Sequence, residues 1–339
     1  MTTLYDYQGE PLFIEDGVEP YYENEVAATV ASLKAAQTEP CLTFGLWTDV
    51  HYASRDTVVF PNTIRNFKAV AKEIRFDGVF SLGDMTDGDK TRAETSEILS
   101  KIMPMQRSVG VPVYFTAGNH DDNAYGSASY YFTTSMMYQN YYAQCSNDVV
   151  YDSANYGTNF YKDFDAFKIR LISLDAANSD TGSTPHYKYS GTTTTWFSNT
   201  MDSVPEGYMV IVITHLSPIA SHNWNDTVPS NASSVKNKMQ AFVDSGGDLV
   251  LFMGHSHADF SWSTPWLEIA TLHNRTNAYT AEYTVTENDG TNLPVGAKIY
   301  PRTLGTVTED CWDAVVIKPG SRTINMIRFG AGEDRTFTY

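Results

Sequence analysis

Short apolar runs alternate with amphipathic stretches through the first half of the chain. Uninterrupted apolar runs bounded by turn residues indicate buried strands, which are expected at residues 41–47, 78–82 and 111–116. Apolar residues at helical spacing predict helices near residues 22–38, 62–74 and 92–109. Because a helix separates each strand from the next, the pattern predicts an α/β fold with a parallel sheet.

The second half of the chain repeats this alternation less regularly. Strands are expected at residues 167–174, 209–213 and 248–253, with a helix near residues 233–245. Three further short runs, at residues 266–271, 314–317 and 323–329, predict antiparallel strands that close a second sheet. Residues 274–310 are polar and irregular, so we expect them to form a flap beside the functional site.

Polar motifs follow the predicted strands at the points where those strands end. In chain order they are Asp49-Val50-His51, Gly83-Asp84-Met85-Thr86-Asp87, Gly118-Asn119-His120-Asp121, His215 and Gly254-His255-Ser256-His257. The loops after parallel strands converge on one edge of a sheet, which is where open α/β sheets bind their ligands. We therefore expect these motifs to form a single site.

The residue types in these motifs are those that bind hard divalent cations. Asp49 and His51 are one residue apart, so on an extended strand end both side chains would point to the same side, and His255 and His257 repeat this spacing. The two oxygens of Asp84 suit a carboxylate that bridges two ions. Carboxylate, amide and imidazole ligands suit Mn, Fe, Zn, Ni or Mg, and two such ions roughly 3.5–4 Å apart are typical of phosphoryl-transfer sites.

Asn119 and His120 are expected to have different roles. The neutral amide oxygen of Asn119 is a metal ligand that leaves the ions electrophilic. His120 is the candidate general acid that gives a proton to the leaving alkoxide. A histidine in that role needs a partner that orients it, and Asp87 or Asp121 could serve; we favour Asp87.

The span of the motifs argues for one catalytic domain in this chain of 339 residues. A boundary between Asp49 and His257 would divide the site, so we expect residues 41–339 to form one domain and residues 1–40 to be an extension with a helix packed on the core. The net charge of −17 argues against a long nucleic acid as partner and leaves small phosphorylated substrates open.

The amino-terminal residues lack a basic segment followed by an apolar one, and no apolar run is long enough to span a membrane. These features predict a cytoplasmic protein without a membrane span. A surface poor in lysine and rich in threonine, serine, asparagine and tyrosine would also suit an extracellular or virion-associated protein. A phage virion or a homo-oligomer is therefore the alternative context.

The motifs together resemble the calcineurin-like metallophosphoesterase superfamily, whose pattern is DxH, GDxxD, GNH(D/E), a lone histidine and GHxH. The resemblance implies a four-layer αββα sandwich of two mixed β-sheets flanked by helices, with a dinuclear metal site at the sheet edge. It also implies that Asp84 is shared between the two ions and that His120 is the leaving-group acid. The implied ligands are Asp49, His51, Asp84 and His257 for one ion, and Asp84, Asn119, His215 and His255 for the other.

Differences from two branches of the superfamily, the protein Ser/Thr phosphatases and the purple acid phosphatases, argue against either of those activities. Protein Ser/Thr phosphatases carry arginine and glutamate where this chain has Gly88 and Asp121, and purple acid phosphatases carry a tyrosine ligand where it has Asp87. The chain then resembles the bacterial and phage group. This resemblance implies a phosphodiesterase or phosphatase for which manganese is one candidate metal, and we expect a metal-bridging hydroxide to attack phosphorus directly.

Several residues near the motifs are candidates for contact with substrate. Arg275, His273, His222 and Asp121 could contact a phosphate, and the planar guanidinium of Arg275 is the best suited to clamp two phosphate oxygens. Three tyrosines could line the cleft or could instead pack in the core or at its rim: Tyr125, Tyr130 and Tyr156. A rival hypothesis from another functional class is a virion or cell-surface structural or attachment module that retains the phosphoesterase fold.

Overall fold

The computed structural model describes residues 21–52, 57–145, 148–155, 157–177, 187–272, 274, 280–287 and 289–339, together with the backbone of two short amino-terminal strands. The helices in this part of the chain are α1 (Glu23–Ala36), α2 (Val59–Ala71), α3 (Arg92–Arg107), α4 (Thr134–Asn140), α5 (Gly191–Asp202) and α6 (Ala232–Asp244). The strands are β1 (Leu4–Tyr5), β2 (Pro11–Leu12), β3 (Leu42–Trp47), β4 (Gly78–Ser81), β5 (Val113–Phe115), β6 (Val150–Tyr151), β7 (Phe160–Phe164), β8 (Ile169–Ser173), β9 (Met209–Ile213), β10 (Leu249–Met253), β11 (Phe260–Trp262), β12 (Leu267–Ala270), β13 (Tyr283–Thr284), β14 (Lys298–Ile299), β15 (Cys311–Lys318), β16 (Thr323–Gly330) and β17 (Arg335–Thr338).

Two mixed sheets form the centre of the molecule. The first has the strand order β17-β16-β15-β3-β4-β5, in which β3, β4 and β5 are parallel and β15 to β17 are antiparallel additions. The second has the order β11-β12-β10-β9-β8-β7-β6, with β8, β9, β10 and β12 parallel and antiparallel strands at both edges. The carboxyl ends of β3, β4, β5, β9 and β10 therefore carry the predicted motifs.

Side-chain alternation along β9 shows how the layers pack. Ile211 and Ile213 point into the core shared with the first sheet, where Phe80 of β4 meets Phe252 of β10. Val210 and Val212 point to the opposite face, which α5 and α6 cover. Helices α1, α2 and α3 pack on the outer face of the first sheet. Because successive strand residues face opposite sides, one apolar strand supports both layers, and the predicted αββα sandwich is confirmed.

The carboxyl-terminal strands lie elsewhere than predicted. Residues 314–317 and 323–329 were expected to close a second sheet, but they belong to β15 and β16 of the first sheet, where β15 pairs directly with β3. The run at residues 266–271 contains β12, which is parallel to β10 and antiparallel only to the edge strand β11. These predictions were wrong because a buried apolar strand carries no local signal of its pairing partner.

Helix α5 shows why part of the second half escaped prediction. Its sequence contains a run of threonines, which are β-branched and weak helix formers. The helix begins at an amino-terminal cap, in which Ser190 Oγ accepts a hydrogen bond from the Thr193 amide, and it buries Phe197 and Met201 against the second sheet. Packing and capping outweigh the low helix propensity of threonine here.

Five further elements were also not predicted from the sequence: α4, β6, β7, β11 and β17.

Among the described residues, no helix is both long enough and apolar enough to cross a membrane.

Candidate metal centre

The predicted ligands converge on the carboxylate of Asp84, at the end of β4. Asp84 Oδ2 lies 3.2 Å from His215 Nε2, 3.7 Å from His51 Nε2 and 3.8 Å from His120 Nε2. These imidazoles follow different strands, His51 and His120 from the first sheet and His215 from the second. A carboxylate surrounded by ring nitrogens from both sheets has the surroundings expected of a bridging ligand.

Asp49 forms a second point of convergence beside Asp84. Its Oδ1 lies 2.9 Å from His257 Nε2 and 3.8 Å from the Nε2 atoms of His51 and His215. Its Oδ2 accepts hydrogen bonds from the Thr48 hydroxyl and the His255 amide. Asp49 therefore joins the loop after β3 to the loop after β10.

The backbone that presents these ligands is left-handed, not extended. Asp49, His51, Asp84, His255 and His257 have φ of 51°, 46°, 53°, 65° and 54°. The expectation that each pair lies on an extended strand end is therefore wrong. Strand β3 ends at Trp47, and the residues after it bond to the loop after β4. The amides of Asp49 and His51 donate to Gly83 O and Asp84 O, each at 2.9 Å. A left-handed backbone costs about 1–3 kcal/mol for each such residue and persists only where the surrounding structure enforces it. The hydrogen bonds between the two loops enforce it here and hold the predicted ligands in place.

Two glycines allow the loops to approach one another. A Cβ on Gly254 would lie 2.0 Å from Thr48 Oγ1, and one on Gly118 would lie 2.1 Å from Asp84 Oδ1. Both distances are far inside van der Waals contact. Glycine is therefore required at both positions for the loops to bring Asp49 and Asp84 together.

Hydrogen bonds behind the imidazoles determine which nitrogen faces the centre. His215 Nδ1 donates to Leu82 O at 2.6 Å and His120 Nδ1 donates to Asp87 O at 2.7 Å, since a carbonyl oxygen can only accept. His51 Nδ1 lies 2.8 Å from Asp87 Oδ1. In each case Nε2 is directed to the centre. The carboxylate of Asp87 thus orients His51, whereas only its backbone carbonyl contacts His120, which differs from the predicted Asp87–His120 side-chain pair.

Asp121 supports the loops from beneath and does not face the cleft. Its side chain is buried and accepts hydrogen bonds from the amides of Asp84, Met85 and Gly118 at 2.7, 2.9 and 2.8 Å. Burial, followed by the charge of Asp84, raises the pKa of Asp121 to about 7. Because its oxygens are occupied by backbone donors, the predicted contact between Asp121 and substrate is not present in this geometry.

The two buried carboxylates of the centre favour positive charge on the imidazole nearest to them. Burial by itself raises the pKa of Asp49, but the imidazoles of His257 and His215 outweigh it and hold that pKa well below its usual range. Burial lowers the pKa of His215, but Asp84 and Asp49 raise it more, to about 10. Burial and repulsion from His215 lower the pKa of His255 to about 3. Two buried carboxylates therefore attract a compensating cation.

The donor set fits a dinuclear metal site. Three overlapping groups have ligand atoms within 4.8 Å of one another: Asp49, His51 and His257; His51, Asp84 and His120; and Asp49, Asp84 and His215. Asn119 Oδ1 is buried and has no hydrogen-bond partner among the described residues, as expected for an atom reserved for a ligand. His255 lines the same cavity, with its ring centroid 5.4 Å from that of His215. Mixed oxygen and nitrogen donors suit divalent transition metals or magnesium.

A cavity of about 240 Å³ opens over the centre. Its lining consists of polar and aromatic side chains: Asp84, Asn119, His120, Tyr125, Tyr187, Trp224, Asn225, Thr227, His255 and His257. The ring of Tyr125 stacks on His120, and Trp224 meets His257 edge-on. Tyr187, Asn225 and Thr227 were missed from the sequence, because no local pattern shows which loop residues reach a cavity formed by distant segments.

The remaining candidates for substrate contact either lie away from the cavity lining or fall outside the described residues. His222 does not line this cavity: its ring stacks on Trp262 with centroids 3.5 Å apart, and its Nδ1 lies 3.1 Å from Glu268 Oε1. His273, Arg275 and Tyr156 lie outside the described residues. Tyr130 is described and is also not part of the lining.

The predicted flap is bonded to a loop that lines the cavity. The amide of Asn225 donates to Asn292 O at 2.7 Å, which fixes the loop that carries Trp224. The described part of residues 274–310 contains the β13–β14 pair and contributes no side chain to the cavity lining.

Comparison with solved structures reveals similar folds. A dimetal phosphatase from Danio rerio superposes with a TM-score of 0.61 at 15% identity, covering 89% of this chain and 100% of that one. GAP50, the anchor in the inner membrane complex of Plasmodium, superposes with a TM-score of 0.50 at 12% identity, covering 85% and 84%. No curated protein sequence matches the chain.

The sequence pattern of the calcineurin-like phosphoesterase family matches residues 42–259 of this chain. That range exceeds half of the 339 residues and includes every predicted metal ligand. The chain therefore belongs to the calcineurin-like phosphoesterase family and is a dinuclear metal-dependent phosphoric ester hydrolase.

Proposed function

We propose that this protein hydrolyses phosphodiesters of small alcohols to a phosphomonoester and an alcohol, and that it acts less well on phosphomonoesters. The observation that carries the proposal is the composition of the cavity: among the described residues that line it there is no lysine or arginine. A monoester dianion has one more negative charge than a diester and gains more from a cationic side chain. The volume of about 240 Å³ also favours a small substrate, since sites for drug-sized ligands measure roughly 300–1,000 Å³.

We propose that Asp49, His51, Asp84 and His257 hold one divalent ion and that Asp84, Asn119, His215 and His255 hold the other. When bound, such a pair of ions stabilises charge on the phosphoryl oxygens and lowers the pKa of bound water. The Nδ1 contacts of His51 and His215 keep their Nε2 atoms directed to the ions. Oxygen and nitrogen donors of this kind bind Mn, Fe, Zn, Ni or Mg.

His120 is the proposed general acid. Its Nδ1 proton is held by Asp87 O, so the proton that can be transferred is the one on Nε2 of the imidazolium. Nε2 faces the cavity, 3.8 Å from Asp84 Oδ2. Donation of this proton to the departing oxygen turns an alkoxide into a neutral alcohol, a contribution typically worth about 10²–10⁴ in rate.

Water is the proposed source of the nucleophile. Among the described residues of the cavity lining there is no serine or cysteine, and the proposed metal contacts of Asp84, His255 and His257 and the proton transfer by His120 leave these side chains without a role as nucleophile. Direct attack of hydroxide on phosphorus, in line with the leaving oxygen, forms the new P–O bond as the old one breaks. The configuration at phosphorus is then inverted in a single displacement.

The test is hydrolysis of bis-p-nitrophenyl phosphate and p-nitrophenyl phosphate by metal-stripped protein to which Mn²⁺, Ni²⁺, Zn²⁺ or Mg²⁺ is restored. We expect turnover only with metal and a higher kcat/KM for the diester. Asp84→Asn removes the shared carboxylate charge and should abolish turnover, whereas Asp77→Asn, at a carboxylate remote from the centre that pairs with Arg75, should not.

Two results would contradict the proposal. Undiminished activity without metal, or a phosphoenzyme trapped on the chain, would refute direct metal-dependent hydrolysis. A higher kcat/KM for the monoester would refute the diester preference while leaving the hydrolase assignment intact.

We propose a cytoplasmic enzyme that acts on small phosphorylated molecules. The alternative context is a virion-associated or extracellular module with an attachment role, and GAP50 is an example of a similar fold in a protein described as an anchor. Light scattering after size exclusion separates the two. A trimer or larger ring favours the virion component, and a monomer or dimer favours the free enzyme.

A further inference from the structure

We propose that Tyr125 is a positioning residue for His120, holding the imidazole at the tilt from which Nε2 reaches the leaving oxygen. The two rings are stacked, with centroids 3.8 Å apart and an interplanar angle of 14°. The inference rests on the proposed role of His120 as general acid. It adds a residue to the reaction that neither the sequence motifs nor the family match identifies.

His120 needs a second restraint because its hydrogen bond supplies only one. The contact from Nδ1 to Asp87 O restrains rotation of the ring about its Cβ–Cγ bond, but it acts at a single atom. The ring of His51 also approaches His120 edge-on, with a centroid distance of 4.8 Å. The face of Tyr125 lies nearly parallel to the imidazole and adds a restraint on the tilt of the ring plane.

The backbone holds Tyr125 over His120. The Tyr125 amide donates to Gly88 O at 2.9 Å, and the amide of the next residue, Gly126, donates to the same oxygen at 3.3 Å. A Cβ on Gly88 would lie 2.2 Å from His120 O, and one on Gly126 would lie 2.3 Å from Asp89 O. The loops after β4 and β5 are thus in close backbone contact on both sides of the stacked pair.

Burial does not explain the position of Tyr125. Its side chain is 53% exposed and lines the cavity, so the ring is not part of the hydrophobic core. Its hydroxyl lies 3.5 Å from the hydroxyl of Tyr187, which brings it to the side of the cavity where Tyr187 meets His255 edge-on. An exposed aromatic ring fixed on a catalytic histidine is explained by that histidine's role.

The experiment measures how a loss of rate depends on the leaving group. Wild type, Tyr125→Ala and Tyr125→Phe are compared on diesters that carry p-nitrophenol, phenol or a simple alkanol. A good leaving group needs no proton, so Tyr125→Ala should retain near wild-type kcat on the p-nitrophenyl diester and lose about 10- to 100-fold on the phenyl and alkyl diesters. KM should change little, and Tyr125→Phe, which keeps the ring, should restore the rate.

A readout independent of turnover accompanies the kinetics. In Zn²⁺-loaded protein with labelled histidine, the ring protons of His120 should be shifted upfield by the stacked ring in wild type and Tyr125→Phe, and should lose that shift in Tyr125→Ala. Tyr130→Ala is the matched control, because it removes a tyrosine from the same segment that does not line the cavity. Metal content and thermal unfolding should be the same in all variants.

Two results would overturn the inference while wild type remains active. One is an equal loss on all three diesters, or a change confined to KM, which would make Tyr125 a substrate contact. The other is an unshifted His120 resonance in wild type, which would refute the stacking. Absence of wild-type turnover on every diester and monoester would refute the proposed function instead, while an upfield His120 shift would still support the ring contact.

Discussion

At the scale of single residues, the acceptors behind the imidazoles organise the centre. His215 and His120 rest on the backbone carbonyls of Leu82 and Asp87, which no side-chain substitution removes. His51 differs because its acceptor is the side chain of Asp87. Partners of this kind orient the ring of a metal-binding histidine and increase its basicity. A substitution at Asp87 should therefore change the orientation of His51 while leaving His51 itself unchanged.

Asp87→Ala should weaken binding of divalent cations by about 10- to 100-fold, because His51 loses the acceptor that fixes its Nε2. Asp87→Asn keeps an acceptor oxygen and should have a smaller effect. Calorimetric titration of metal-stripped protein with Mn²⁺ measures the affinities. Asp89→Ala is the control, since Asp89 pairs only with exposed Lys90, and equal affinities for Asp87→Ala and the control would contradict this role.

At the scale of elements, a buried network of ion pairs joins the two sheets next to the metal loops. Arg328 on β16 donates to Asp259, two residues after His257, at 2.8 Å, and to Asp313 on β15 at 2.9 Å. Arg335 on β17 contacts the same two carboxylates at 3.3 and 3.2 Å. The Asp259 segment follows β10 of the second sheet, so the network fixes the first sheet to the loop that carries His255 and His257.

Arg328→Met should lower the free energy of unfolding by about 3–5 kcal/mol, because it leaves the carboxylates of Asp259 and Asp313 buried with one cation in place of two. Urea unfolding followed by fluorescence measures the change. Arg75→Met, at a side chain that is 86% exposed and pairs with Asp77, should have no measurable effect. Equal stability of the two variants would show that the network contributes no more than a surface pair.

A second link between elements involves Asp310. Its buried carboxylate accepts hydrogen bonds from Thr63 and Asn66 of α2 and from the amide of Cys311 at the start of β15. Asn274, at the beginning of the predicted flap, donates to Thr63 and to Cys311 O in the same cluster. The segment from residue 274 to residue 310 is thus attached at both ends to α2 and β15.

This cluster should make stability depend on pH. Burial raises the pKa of Asp310 to about 6, above the unfolded value of about 3.9. The folded chain therefore binds this proton more tightly, so its contribution is full below about pH 4 and is lost as pH rises through 6, by at most about 3 kcal/mol. Urea unfolding from pH 4 to 7.5 measures this as a difference between wild type and Asp310→Asn. A pH-independent difference would contradict it.

At the scale of the whole molecule, the negative charge leads us to expect that bound cations contribute to the stability of the fold. The net charge of −17 includes the buried carboxylates of the centre, which among the described residues have histidines and no lysine or arginine as ion-pair partners. Ions that bind the folded chain and not the unfolded one stabilise it by mass action. Ions held by these side chains would contact loops that follow strands of both sheets, so their effect should extend across the sandwich.

Chelation should therefore lower the melting temperature as well as abolish turnover. A metal concentration 100 times the dissociation constant stabilises by about 2.7 kcal/mol for one site. Thermal unfolding of metal-stripped protein, with and without Mn²⁺ or Zn²⁺, measures the shift, and Asp84→Asn serves as a control in which the shift should be small. An unchanged melting temperature in wild type would argue that the folded chain does not bind these ions.

The convergence of the motif residues on one centre was predictable because each motif is local. Asp49, His51, Asp84, Asn119 and His120 follow runs whose apolar pattern identifies a strand, and the ends of parallel strands must meet at one edge. Residues whose role depends on contacts between distant segments were not predictable. The pairing of Asp87 with His51, the burial of Asp121 beneath the loops and the position of Tyr187 over the cavity are of this kind.

Some predictions lie beyond the observations on this chain. The division into an extension of residues 1–40 and one domain of residues 41–339 stays a prediction, as does membership of the bacterial and phage branch. The contact of Arg275 or His273 with phosphate stays a prediction too, since both lie outside the described residues.

The sequence by itself determined the chemistry of the centre and the α/β alternation that brings it to a sheet edge. Both follow from side-chain identity and from local periodicity, which act over a few residues. Only the tertiary structure decided the left-handed backbone of the ligands, the insertion of β15 beside β3 and the stacking of Tyr125 on His120. These depend on hydrogen bonds and packing between segments far apart in the chain, where many local arrangements have similar energies until the whole core is assembled.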